Sequence, residues 1–368
     1  MTWEPERLDD QGHLTEADPG AMLPAVAASA AHIRTGHRCA VEAGVERLAA
    51  DGRPRAIVVV GMGVAGLAGD ILAAVVGNGA PLPIVTVRSY QLPGWVGATD
   101  LVIAVSGSGD TEETLALAAQ AVRRGCSLLA VGPAGSPLEA MAVQASGVFV
   151  PVPVTGPARA GLWLLSVPPI VAAAALRLVQ ADADLFERVA RLLEDIAHRC
   201  RPSSESFINP GKSLALDLAE TVPMIWGTSQ VSAVAAYRLA CQLAASAKYP
   251  ALHGTLPEAG HHQVAAFDGP LAERDIFADT SGRTLRLVVL RDTEEHPQVT
   301  RRREAALRLA AERDVPVTEL AAEGVHPLER IASLMALGDY ASTYLALGYG
   351  VDPAAESAIA EVIARISP

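Results

Sequence analysis

The sequence predicts an α/β protein made of two parallel-sheet domains. Three observations carry this expectation. Short apolar runs of strand length alternate with stretches of helical periodicity along most of the 368 residues. Two of those runs break into Gly- or Ser-rich turns that open a helix, the pattern of a βα unit. Around 200–210 (CRPSSESFINP) the composition turns polar and gains prolines, which divides the chain into two halves of domain size.

In the first half, 56–60 (AIVVV) reads as a strand, followed by GMGVAGLAGD and the helix ILAAVV. Residues 83–87 (PIVTV), 101–105 (LVIAV), 127–131 (SLLAV) and 147–150 read as further strands with helices between them. Continuous apolar runs of this kind imply a parallel sheet covered on both faces. The longest uncharged apolar stretch, 161–176, is too short to span a bilayer comfortably. It also carries Pro168 and Pro169, so it reads as a buried helix rather than a membrane anchor. In the second half, 222–227 (VPMIWG) is an expected strand, 231–247 a helix, and the chain then passes through a linker into LPEAGHH. Residues 286–290 (RLVVL) form the clearest strand there. An Arg-rich amphipathic helix (RRREAALRLAAERD) leads into 315–320, a helix over 327–348 stops at a glycine, and PAAESAIAEVIARI closes the chain. The expected organisation is a polar N-terminal segment over 1–25, a first domain over 26–200 and a second over 201–368.

Charge and cysteine usage narrow the function classes. A net charge of −12 argues against a nucleic-acid partner, whose phosphate backbone is repelled, but not against one small phosphorylated ligand held by local donors. Cys39, Cys126, Cys200 and Cys241 are scattered with no metal-binding spacing. They read as reduced thiols of a cytoplasmic protein with no metal. The acidic start of the chain is not a secretory signal, and no membrane partner is implied.

The run LVIAV-SGSGDTEET places Ser106, Ser108 and Thr111 where a strand gives way to a helix. Backbone N–H groups and the helix dipole favour an anion there, and hydroxyls add neutral donors that grip a phosphate without a lysine. The same residues also suit an ordinary Ser/Thr-capped βα turn, and this segment alone does not separate the two. Both glycine/serine loops follow strand ends, the side of such sheets where ligands bind.

GMGxxGxxGD after one strand and S-x-SG-x-TxET after another resemble the sugar isomerase (SIS) domain. The stretches NPGKSLALDLAETVPMIWG and AYRLACQLAASAKYPALHGTLPEAGHHQVAAFDG resemble the bifunctional phosphoglucose/phosphomannose isomerases of bacteria and archaea, especially actinobacterial members, from about residue 40 onward. The resemblance implies two tandem SIS domains, each a doubly wound parallel sheet flanked by helices. It implies a phosphorylated sugar as ligand, no cofactor, and a homodimer in which a histidine completes the partner's site. The chemistry is aldose–ketose interconversion through an enediolate. That reaction needs a carboxylate base, a ring-opening imidazole, cationic or N–H support for the enediolate, and a phosphate cradle.

Carried over residue by residue, Gly63, Ser106, Ser108, Gly109 and Thr111 fall on the phosphate-binding positions. Arg159 falls on the arginine beside the enediolate, and His261 on the ring-opening histidine. His262 stands where the family often has asparagine. Elsewhere the chain departs from the pattern. Val64 and Ala65 replace the Gly-Ser of the family's GMGGSG, which removes one phosphate-binding hydroxyl at a cost of about 1 kcal/mol. Ala245 stands at the position of the base. The family's C-terminal lysine, near Ile363, is also absent, because Lys212 and Lys248 are the only lysines. Two carboxylates could stand in for the base: Glu258 lies three residues before His261, and Asp110 sits inside the phosphate loop. Glu258 reads as a structural acceptor, while Asp110 sets a negative charge beside the phosphate loop. Three functions follow: a phosphosugar isomerase, a sugar-phosphate binder without turnover, and a diverged SIS enzyme acting on a modified sugar.

Overall fold

The computed structural model describes residues 2–153, 155–272 and 283–366. The chain divides into two compact units: 27–194 with 327–329, and 1–26 with 195–326 and 330–368. Residues 1–26 therefore group with the second unit rather than standing apart as a separate polar segment.

The first unit carries β1 (Ile57–Val60), β2 (Ile84–Val87), β3 (Leu101–Val105), β4 (Ser127–Gly132) and β5 (Val148–Pro151). All pairings are parallel, in the order β2-β1-β3-β4-β5. Every residue of β1 and β3 is buried, as a strand covered on both faces requires. The helices of this unit are α1 (Ser29–Glu42), α2 (Gly63–Val76), α3 (Glu112–Arg123), α4 (Pro137–Gln144) and α5 (Leu162–Ala175). α5 is the apolar stretch holding Pro168 and Pro169; it is buried against α1 and α2, so it is a core helix. The winding direction reverses between β1 and β3, whose carboxyl ends lie side by side with Val60 opposite Ala104. Crevices at such reversals are the general ligand position of open α/β sheets.

The second unit carries β6 (Thr221–Gly227), β7 (Leu252–Thr255), β8 (Thr284–Arg291) and β9 (Val317–Ala321), all parallel in the order β7-β6-β8-β9. Its helices include α6 (Pro210–Leu218), α7 (Gln230–Ser246), the short α8 (Ala259–His262), α9 (Pro297–Glu312), α10 (Pro327–Gly348) and α11 (Ser357–Ile366). The stretch expected to be a linker before LPEAGHH contains β7. This is a four-residue, partly exposed edge strand of sequence LHGT, too short and too poor in β-branched residues to show an apolar run. Lys212 on α6 is fully buried. It donates to Asp9 Oδ1 (3.1 Å) and to the carbonyls of Pro202 (2.8 Å) and Ser204 (2.7 Å), which fastens the N-terminal segment to this unit.

Candidate functional site

The loop after β3 gathers three hydroxyls. Ser106 N–H donates to the Val131 carbonyl (3.0 Å), extending the β3–β4 pairing by one residue and fixing the Ser106 backbone. Its Oγ lies 2.9 Å from Thr111 Oγ1 and 3.4 Å from Ser108 Oγ, and Ser108 Oγ lies 3.3 Å from Thr111 Oγ1. The three oxygens thus form a triangle small enough for one tetrahedral oxyanion to reach all of them. Ser106 is buried, Thr111 half-buried and Ser108 exposed, so the triangle opens to solvent on the Ser108 side. Thr111 is the N-cap residue of α3, yet its side chain makes no capping bond, which leaves its hydroxyl to the cluster.

Gly109 shapes this turn. Its N–H donates to Ser106 Oγ (2.9 Å), its φ is +74°, and a Cβ there would lie 2.3 Å from Ser136 Cβ. Only glycine fits that space and that backbone. Asp110 is exposed, with its N–H directed at Ser108 Oγ (3.4 Å). Glu112 and Glu113 complement the α3 dipole in its first turn.

The neighbouring loop follows β1. Gly63 opens α2 with φ +54°, exposed and with nothing within 4 Å of a Cβ position, and the Met62 N-cap makes no side-chain bond. Ala65 presents a buried methyl in the first turn of α2. A cation that the motifs did not reveal stands close by. The Arg88 guanidinium, just past β2, lies so near Gly66 that a Cβ there would approach its Nε to 2.7 Å. Asp70 on α2 pairs with Arg88 and accepts from Thr86 Oγ1 (2.8 Å), which ties α2 to β2. An arginine directly after a strand that faces the glycine loop was the available signal.

Arg159 sits in the 3-10 turn Ala158–Gly161 that leads into α5, only 7% exposed, so it is not a surface arginine. That turn packs against α2, and Leu165 of α5 lies against Gly107 in the hydroxyl loop. His32 on α1 hydrogen-bonds the Ala160 backbone, and burial pushes its imidazole below the usual range. The turn carrying Arg159 is therefore anchored on both sides.

In the second unit, His261 and His262 end α8 and are exposed. His261 Nε2 lies 3.4 Å from Arg302 Nη1, and His262 Nε2 lies 3.8 Å from Glu258. Gln263 clamps the end of this helix. It accepts from Trp226 Nε1 (2.6 Å) and donates to the His253 carbonyl (2.9 Å). Ala245, near the end of α7, lines a cavity of about 470 Å³ together with Lys248 and Tyr249. Glu258 lies at the surface.

A family model for the bacterial phosphoglucose isomerase C-terminal SIS domain matches residues 207–366. A bifunctional phosphoglucose/phosphomannose isomerase of Caldicellulosiruptor bescii is 30% identical over 297 residues, covering 81% of this chain and 85% of that protein. The chain belongs to that isomerase family. An isomerase of the same description from Aquifex aeolicus is 28% identical over 312 residues, covering 84% of this chain and 89% of its own. The fold is shared more widely. A hypothetical protein of Thermus thermophilus superposes with a TM-score of 0.71 at 18% identity, covering 98% of this chain and 96% of that one. Tagatose-6-phosphate ketose/aldose isomerase of Escherichia coli gives 0.66 at 15% identity, covering 90% and 93%.

Proposed function

We propose that the protein binds a hexose 6-phosphate and interconverts its aldose and ketose forms. The observation that carries the reading is the triangle of Ser106, Ser108 and Thr111 hydroxyls at the carboxyl end of β3. A phosphate accepting from these three hydroxyls and from amides at the start of α3 is held without a basic side chain. The binding energy of that unreactive group orients the sugar carbons for reaction. Arg159 supports the enediolate oxygen, and His261, supplied across a homodimer, moves the ring-oxygen proton.

Ala245 favours a second reading, binding without turnover. Loss of a positioned base costs roughly 10²- to 10⁴-fold in proton transfer. A coupled assay with glucose, mannose and fructose 6-phosphates, run beside titration calorimetry with the same sugars, separates the two. Binding with measurable conversion supports the isomerase, binding alone supports the sugar-phosphate binder, and absence of binding removes both.

A further inference from the structure

The second sheet has a crevice of its own. β6 leads through α7 to β7 on one side, and β8 leads through α9 to β9 on the other, so the winding reverses between β6 and β8. Such a reversal is the general ligand position of an open α/β sheet, as it is between β1 and β3. The chain after β6 also matches the loop after β3 in chemistry. Thr228, Ser229 and Ser232 bring three hydroxyls to the N-terminus of the 17-residue α7, whose dipole favours an anion. The two crevices differ in what those hydroxyls meet. In the first sheet Ser106, Ser108 and Thr111 meet one another beside solvent. In the second they are spent on the protein. Ser232 Oγ accepts from the N–H groups of Thr228 (2.7 Å) and Ser229 (2.9 Å), and Thr228 Oγ1 accepts from Asp292 N–H (3.0 Å). Ser229 Oγ donates to the Asp292 carboxylate, Oδ2, at 2.6 Å.

Asp292 follows β8 directly and is only 7% exposed. Its other oxygen, Oδ1, accepts from Thr293 N–H (2.8 Å) and lies 2.7 Å from Nε of Arg330, a buried arginine on α10. Arg330 Nη2 also donates to Glu294 (2.8 Å). A helix N-terminus, a serine hydroxyl and a buried guanidinium thus converge on one carboxylate, a donor set suited to an oxyanion. We infer that Asp292 is the built-in anion of the second sheet: its carboxylate fills the oxyanion position between β6 and β8 and closes that crevice to external anions. Of the two hydroxyl loops, the one after β3 is then the loop open to a phosphate. A tethered carboxylate escapes the translational cost that a free anion bears on binding. It also neutralises a guanidinium that is expensive to bury unpaired. The inference is drawn from the second unit alone and holds whether or not a sugar is turned over.

The test removes the carboxylate and offers it back. Asp292→Ala leaves room for one formate ion, the excised group, whereas Asp292→Asn fills the space with a neutral amide that still accepts from Ser229. Urea unfolding of the full chain is followed for the wild type and both variants in sodium formate and in sodium chloride at equal ionic strength. Asp292→Ala should unfold at lower urea than the wild type in chloride, and formate should restore about half of that loss or more. Formate should act on the wild type and on Asp292→Asn no differently from chloride. Equal midpoints for Asp292→Ala in the two salts overturn the inference, and so does an Asp292→Ala chain that stays unfolded in formate. A second arm uses calorimetry with fructose 6-phosphate. The expected result is one site per chain, weakened in Ser106→Ala/Thr111→Val and unchanged in Ser229→Ala. A site that Ser229→Ala weakens overturns closure of the second crevice. Absence of any binding by the wild type removes the sugar-phosphate readings of the loop after β3 and agrees with a closed second crevice.

Discussion

Ser106 and Thr111 hold their hydroxyl oxygens 2.9 Å apart across the turn from β3 to α3. The contact depends on Gly109, whose N–H anchors Ser106 Oγ from within the turn (2.9 Å). Gly109→Ala forces a side chain into the left-handed region and against Ser136 Cβ. The turn must then open, at a cost of about 2 kcal/mol or more. Urea denaturation should show that loss, and calorimetry should show weaker binding of fructose 6-phosphate, because the hydroxyls separate. A variant as stable and as tight-binding as wild type contradicts the role given to this glycine.

Arg238 on α7 and Asp339 on α10 form a buried two-pronged pair, Nε to Oδ1 and Nη2 to Oδ2 both at 3.0 Å. Replacing Asp339 with alanine leaves the guanidinium buried without that counter-charge, which costs about 3–5 kcal/mol. The denaturation midpoint should fall accordingly. A drop below about 1 kcal/mol shows that water reaches Arg238 and that the pair does not lock α7.

Burial raises the Cys200 thiol to about 12 from its usual value near 9, well above the range of an exposed cysteine. The native state therefore keeps a proton that the unfolded chain releases, so stability falls as pH rises from 9 to 12. The slope approaches about 1.4 kcal/mol per pH unit within that window. Tyr249, Tyr340 and Tyr344 are also pushed up by burial and add the same sign at higher pH. Burial lowers Lys212, which acts in the opposite sense. Comparing Cys200→Ala with wild type isolates the thiol: the variant should lose less stability between pH 9 and 10. Parallel curves would show that Cys200 does not titrate in this range.

Much of this architecture is legible because each structural cause is local. LVIAV at 101–105 is both an apolar run and a fully buried strand, and PLERIASLMALGDYASTYLALG carries its helix from end to end. The hydroxyl loop is equally local, since Ser106, Ser108 and Thr111 lie within one turn. What could not be read depends on distant partners. β7 is recruited by pairing with β6, not by its own residues. Asp9 joins the second unit because Lys212, 203 residues away, needs a counter-charge in its burial. The link from Lys248 to Ala355 spans 107 positions.

The most direct measurement of the central claim is a calorimetric titration of fructose 6-phosphate into the wild type and into Ser106→Ala/Thr111→Val. Charge-assisted hydrogen bonds of about 1.5–3 kcal/mol each predict at least a 10-fold loss of affinity in the double variant. Equal affinity for the two proteins, with both folded, would contradict a phosphate cradle at the end of β3.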